Sequence, residues 1–287
     1  MKYKALIRKD NKTQIVEKNI PTILEKNHLL IKVDLAGICR TDIYVSEGLI
    51  DTKDGLVLGH EFSGFVSKSN SEKFLEGDYV AINPIFDDYS MLGLEHDGCF
   101  AEYIIIEEKQ VFLIQKLNDP RIAAYIEPLA ASLAPLKSKF ITKEMKGSIY
   151  GENRIGYLTY SIMKNKGYDV EIISSTSIIE DNTFDYIIET LPTKTTFDII
   201  PKILKRNGIL IIKSRLRQHI EINLYEYLKK EILMESLYYH DFNFAIDYAI
   251  NNYNDFNNIF GNIYSIEDWQ LAFKESVNGE KKIFIKF

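Results

Sequence analysis

From Lys146 onward the chain alternates short apolar runs with amphipathic ones, and that alternation is the strongest restriction on its fold. The runs "GSIYG", "YDVEIIS", "FDYIIET" and "GILIIKS" read as strands of the buried type. Between them, "RIGYLTYSIMKNKG", stopped by Gly167, and "TTFDIIPKILKRNG" carry helical spacing. Strands that alternate with helices assemble into a parallel sheet through right-handed crossovers. The stretch before Lys146 has another texture. There "YKALIRK", "LLIKVDLAGI", "SGFVSKS" and "GDYVAINP" are short strands broken by Gly, Asn, Asp and Pro. Helical spacing appears in "DPRIAAYIEPLAASLAPLK", and the closing "SIEDWQLAFKESVNGE" and "KKIFIKF" read as a helix and a last strand. A length of 287 residues suits one large domain or two ordinary ones.

The chemistry gathers around "LVLGHEFSG", where His60 and Glu61 stand side by side between Gly59 and Gly64. Neighbours on a strand point to opposite faces, so both reach one site only if the chain turns there. The two glycines permit such a turn. A metal ion would use both side chains; a strand end with a surface His–Glu pair is the plainer alternative. Upstream, "AGICRTD" holds Cys39, Arg40, Thr41 and Asp42, and downstream "IEPLA" holds Glu127. A thiolate, an imidazole and one or two carboxylates make a zinc shell, and a catalytic one leaves a coordination position open.

In this order, "AGICRTD", "LGHEFSGFV", "GDYVAINP", "DGCFAEY" and "IEPLA" resemble the zinc-dependent medium-chain dehydrogenases, the family of alcohol, sorbitol and glucose dehydrogenases. The resemblance runs through most of the chain. It implies an α/β protein in which a GroES-like, β-rich catalytic domain (1–120 and 257–287) flanks a reduced Rossmann-like, doubly wound parallel-sheet domain (121–256), with the active site in the cleft between them. It further implies that Cys39, His60 and Glu61 are zinc ligands, with Glu127 a fourth ligand or a neighbour exchanging with water. Glu61 and Glu127 point to the polyol and sugar branch of the family. Thr41 would pass the substrate proton toward solvent, Asp42 would orient a ligand, and Arg40 would face the cofactor pyrophosphate. Tyr44 replaces a histidine frequent at the end of the proton relay. The interval "IFDDYSMLGLEH" has no cysteine where many members carry a four-cysteine structural zinc lobe, so one catalytic zinc and no structural zinc are expected. Cys99 stands where the family has a small residue and reads as structural.

The cofactor half departs further from the family pattern. "YGENRIGYL" follows a strand and opens a helix, which places Gly151, Asn153, Arg154, Ile155 and Gly156 where a dinucleotide fingerprint belongs. Asn153 occupies the position of the middle glycine. At the end of the second strand, Ser174 or Ser175 stands where a carboxylate would hold the ribose of NAD; hydroxyls there favour NADP, unless these serines merely begin a loop. Only "SSTSIIEDNT" then separates that strand from the next, too little for the usual helix–strand–helix connection. A strand with its helices is therefore expected to be missing.

These features converge on a zinc-dependent oxidoreductase that interconverts a secondary alcohol and a ketone on a polyol, sugar or sugar phosphate with NADP or NAD. Asn153 and the short crossover keep open a redox-neutral zinc enzyme of lyase or hydratase type, and a non-catalytic relic is a third reading. A net charge of −6 without clustered Lys and Arg excludes a general nucleic-acid binder. No apolar run approaches a membrane span, and "MKYKALIRKDNK" lacks a signal-peptide core. With two cysteines and no disulfide framework, a cytoplasmic, reduced protein is expected. The resemblance implies a small-molecule substrate and, if the chain forms a homodimer as family members often do, pairing of the last strands of its sheet with those of the second copy.

Overall fold

A computed structural model describes residues 2–22, 24–114, 117, 119–193, 195–215, 219–256 and 258–287. The chain divides into two units, residues 1–127 with 242–287, and residues 128–241.

The first unit is mostly β. Its elements begin with β1 (Lys2–Lys9), β2 (Lys12–Asn19), β3 (His28–Gly37), α1 (Arg40–Ser46), β4 (Leu56–Val57) and β5 (Glu61–Ser69). They continue with β6 (Tyr79–Ile82), β7 (Tyr103–Glu107), β8 (Val111–Leu113), α2 (Pro120–Ala123) and α3 (Ile126–Leu133), whose later residues belong to the second unit. Asp10 and Asn11, with φ of 49° and 57°, make the tight turn between β1 and β2. β1 also pairs with β4, forming a small sheet. In the larger sheet β3 lies between its neighbours and its two ends differ: β7 pairs along the start and β5 along the length. Leu29, Ile31, Val33, Val66, Val80, Ile104 and Ile106 from these strands pack into one buried cluster. The segment that replaces the expected zinc lobe is tied by its own contacts. Phe86 lies against His96 with centroids 4.0 Å apart, and Ser90 Oγ is 2.7 Å from His96 Nε2.

The second unit runs β9 (Lys146–Tyr150), α4 (Arg154–Asn165), β10 (Asp169–Ile173), β11 (Phe184–Glu189), α5 (Thr196–Ile203), β12 (Leu204–Ile212), α6 (Leu224–Lys229) and β13 (Leu233–Ser236). The strands form one parallel sheet in the order β10-β9-β11-β12-β13. Side chains of β11 alternate between its faces: Ile187 joins Phe197, Ile200 and Tyr227 of α5 and α6, while Tyr186 and Ile188 join Met163 of α4. Both faces are thus covered, as a parallel sheet requires. Residues 174–183 between β10 and β11 contain no helix, as their brevity predicts, and among the described residues β10 pairs on one side only. One helix is shorter than its sequence suggests. α5 stops at Ile203 and the chain turns straight into β12, because Leu204 already pairs with Phe184 and Pro201 removes a helical hydrogen bond.

The chain resumes the first unit with α7 (Phe242–Asn251), β14 (Phe260–Ser265), α8 (Trp269–Asn278) and β15 (Lys282–Lys286). β15 pairs with the end of β3, so that sheet runs β14-β15-β3-β5-β6-β8. Among the described residues no helix is long and apolar enough to cross a membrane.

One buried acid in the second unit has a measurable consequence for stability. Glu189, at the end of β11, is fully buried; its Oε2 accepts a 2.6 Å bond from Ser214 and its Oε1 has no partner. Burial outweighs Ser214 and Lys213 and pushes the carboxyl up to about 7. A carboxyl raised in the folded state contributes fully below its unfolded value and loses that contribution as pH rises through about 7. Glu189→Gln keeps the shape and mimics the protonated acid. Urea denaturation should find the variant more stable than wild type by about 3 kcal/mol at pH 8.5, with the gap closing as pH falls to about 4. Parallel stability curves across that range would remove the assigned shift.

Candidate metal centre

Four segments of the first unit build the site. Gly59 has φ of +93°, which only glycine adopts cheaply, and it turns the chain so that His60 precedes β5 and Glu61 begins it. Gly64 plays a different part from the turn expected of it. It lies inside β5, where a Cβ would stand 2.4 Å from the Lys32 carbonyl oxygen, so its role is close approach to β3. Cys39 caps α1, a helix the strand-like reading of this region missed. Its backbone N–H donates to Asp42 Oδ2 at 2.8 Å, and the Asp42 N–H donates back to the Cys39 carbonyl at 3.1 Å.

One Cys39, one His60 and one Glu61 ligand atom all lie within 4.8 Å of one another, and among the described residues this is the one such group. His60 and Glu61 are buried and Cys39 is half-buried. Asp42 Oδ1 sits 3.1 Å from His60 Nδ1, which leaves Nε2 buried without a partner. A metal ligand needs that free nitrogen, and the carboxylate on the opposite nitrogen is the usual device for orienting the ring. Burial disfavours charge on His60, but Asp42 and Cys39 outweigh it and raise the imidazole well above its ordinary range. Burial also raises the Glu61 carboxyl; Lys282 opposes the shift, Glu127 adds to it and His60 resists it. The donor set and the orphaned nitrogen together fit a zinc ion.

The other expected residues fall around this group. Glu127 is buried near the start of α3 and acts on Glu61 through its charge, outside the 4.8 Å group. Thr41 Oγ1 lies 3.7 Å from Cys39 Sγ; Tyr44 is half-buried on α1, and Arg40 is exposed at its first turn. Cys99 is buried and donates its thiol to the Glu61 carbonyl oxygen at 3.7 Å, with burial pushing the thiol well up. It braces the Glu61 backbone. The residue missed by sequence reading is Lys282, whose ammonium forms a buried ion pair with Glu61 Oε2.

The second unit carries the remaining candidates. Gly151 has φ of +127°, and a Cβ on Gly156 would stand 2.0 Å from the Gly151 carbonyl oxygen, so the first and third glycine roles of a dinucleotide turn are present. Asn153 caps α4, its Oδ1 accepting the Gly156 N–H at 3.0 Å and its Nδ2 donating to Thr190 Oγ1 at 3.2 Å. One first-turn amide of α4 is therefore already bonded by Asn153 itself. Arg154 and Ile155 are half-buried in the first turn of α4. Ser174 is half-buried and Ser175 exposed after β10; Ser174 Oγ lies 3.0 Å from Thr176 Oγ1. The turn fits a dinucleotide in its glycines and resists it at Asn153.

Residues 25–116 match the alcohol dehydrogenase GroES-like domain. The chain is 30% identical over 191 residues to the sorbitol dehydrogenase of Halalkalibacterium halodurans, a match covering 59% of this chain and 55% of that one. The matched stretch thus spans about half the length of that relative. Among solved structures, a Sinorhizobium meliloti 1021 protein described as a zinc-binding dehydrogenase and bound to NADP superposes with TM-score 0.88 at 21% identity, both chains being fully covered. An Escherichia coli CFT073 alcohol dehydrogenase complexed with NADH gives 0.84 at 19% identity, over 100% of this chain and 99% of that one. These structures share the fold.

Proposed function

We propose that this chain is a shortened relative of the zinc-type medium-chain alcohol and sorbitol dehydrogenases that interconverts a secondary alcohol and a ketone with zinc and NAD(P)(H). The substrate in this reading is a polyol, sugar or sugar phosphate. The observation that carries it is the convergence of Cys39, His60 and Glu61 within 4.8 Å, with His60 Nε2 buried and unpartnered.

Zinc held there would polarise the substrate oxygen and stabilise alkoxide, and a bound nicotinamide would exchange the hydride. The rest falls to the chain's own side chains. Asp42 holds the imidazole with Nε2 turned to the ion, and Glu127 stands as fourth ligand or as the neighbour that exchanges with water. Thr41, beside Cys39, takes the substrate hydroxyl proton and Tyr44 passes it toward solvent. Arg40 offers its guanidinium to the cofactor pyrophosphate. Gly151, Asn153, Arg154, Ile155 and Gly156 form the turn that receives the dinucleotide, and Ser174 and Ser175 receive the ribose and favour NADP. One catalytic ion and no structural one, a cytoplasmic setting, and pairing of two copies along β13 complete the reading.

Asn153 favours a second reading, a redox-neutral zinc enzyme, because its side chain occupies the Gly156 amide. Fluorescence titration of zinc-loaded protein with NADPH and NADH separates the two. Saturable binding of both is expected, with NADPH tighter by about tenfold, the worth of one good polar contact. Tighter NADH binding would overturn the roles of Ser174 and Ser175. No binding of either would leave the redox-neutral enzyme.

A further inference from the structure

Lys282 is placed where the site as described gives it no task. It lies on β15, is 3% exposed, and donates to the Ile38 carbonyl oxygen at 2.8 Å while its ammonium faces Glu61 Oε2. The Tyr125 ring lies beneath it, its centroid 5.8 Å from Nζ. A lysine buried this deeply loses its hydration and needs an ion-pair partner and hydrogen bonds in its place, and here it has both.

The backbone is built around this pair. Gly37, at the end of β3, lies opposite Glu61 on one side and Phe284 on the other. A Cβ on Gly37 would come within 2.7 Å of Glu61 Oε2 and equally within 2.7 Å of Lys282 Cε. Gly37 is not among the residues with left-handed backbone, so it serves to make room. The slot it leaves is filled by the ammonium and the carboxylate.

An ammonium beside a metal ligand is at first sight a liability, since it repels an incoming cation and competes for the carboxylate. The charges around it explain its use. Asp42, Glu61 and Glu127 bring three acidic groups into a buried cluster that holds Cys39 as well, and among the described residues His60 and Lys282 are basic groups that face Glu61. With the ion bound, the cluster has its positive charge. Without it, the buried Glu61 carboxylate still faces the Lys282 ammonium with which it is paired.

We propose that Lys282 is the counter-cation of this site, holding Glu61 in place when the metal is absent and sharing that carboxylate when the metal is present. The inference rests on the metal reading of Cys39, His60 and Glu61 and adds a positioning residue to it. It means that the empty site folds on its own, and that zinc is held less tightly than its donors would allow because Glu61 is divided between ion and ammonium.

The test compares wild type, Lys282→Met and Lys282→Arg, each stripped with chelator and each reloaded with zinc. Melting temperature and zinc affinity are read, the latter by competition with a chromophoric chelator. Stripped Lys282→Met should melt about 10 °C below stripped wild type, because one partner of a buried pair is left alone. The zinc-loaded forms should lie much closer together, and zinc affinity should rise about tenfold or more, as linkage between folding and binding demands. Lys282→Arg, which keeps the charge, should follow wild type. A Lys282→Met protein that folds only with zinc is the extreme of the same result. Equal loss of stability in stripped and loaded forms, unchanged zinc affinity, or failure to fold in both states would overturn the proposal while wild type still bound zinc. Wild type that bound no zinc would sink the metal reading itself and take this proposal with it.

Discussion

Cys39→Ser is expected to give a folded protein that keeps less than about a tenth of the wild-type zinc after dialysis and turns over at least about a thousandfold more slowly. A serine hydroxyl stays protonated near neutral pH, so the site loses its thiolate donor and its softest ligand. The fold should survive because the Cys39 contribution to the α1 cap is made by its backbone: the N–H to Asp42 Oδ2 and the carbonyl from the Asp42 N–H are indifferent to the side chain. Zinc content by atomic absorption, beside a thermal melt, separates loss of the metal from loss of the fold. Full zinc in a Cys39→Ser protein would show that the thiolate is not a ligand.

Asp42→Ala attacks the same centre from behind and should cost zinc affinity about 10–100-fold, the usual toll of removing a group that orients a ligand. Asp42 is 1% exposed and makes two bonds, one to His60 Nδ1 and one from the Cys39 N–H. Its removal frees the imidazole to rotate and leaves the half-buried Cys39 N–H without its acceptor, so the melting temperature should fall by about 5 °C as well. Asp42→Asn should lie between, because an amide can accept from only one of these two donors while turning its own NH₂ toward the other. Wild-type zinc affinity in Asp42→Ala would mean that packing alone sets the His60 ring.

How far these features were legible depended on the distance over which they act. The second unit was read closely because strand, turn and helix each leave a local trace. Asn153 begins α4, Gly167 with φ of +84° follows its end, and the brevity of residues 174–183 announced a connection without a helix. α1 was missed since its seven residues are too few to show a period, and "AGICRTD" continues an apolar strand. The end of α5 was misplaced because "ILKRNG" has helical propensity and only the pairing of Leu204 with Phe184 makes it a strand. At the site, neighbouring residues with recognisable side chains could be proposed as a set from their order alone. Lys282 could not, since nothing in "KKIFIKF" tells which lysine lies inside; β15 must first pair with β3 beside Gly37. Glu189 was not singled out in "FDYIIET" either, since its burial and its bond from Ser214 depend on the assembled sheet.

The open side of β10 carries a consequence for how this molecule behaves among its own copies. A strand paired on one side only presents unpaired amides and carbonyls, and flat apolar borders of that kind recruit further strands into aggregates. Here the exposed positions are Asp169 and Glu171, with Lys164 and Lys146 beside them at 3.7 Å and 3.4 Å. Such solvated pairs add little to stability. Their worth is in keeping the border wet, since a second strand laid along it would have to bury those charges. Charged side chains thus guard the border that so short a connection between β10 and β11 leaves, among the described residues, paired on one side only.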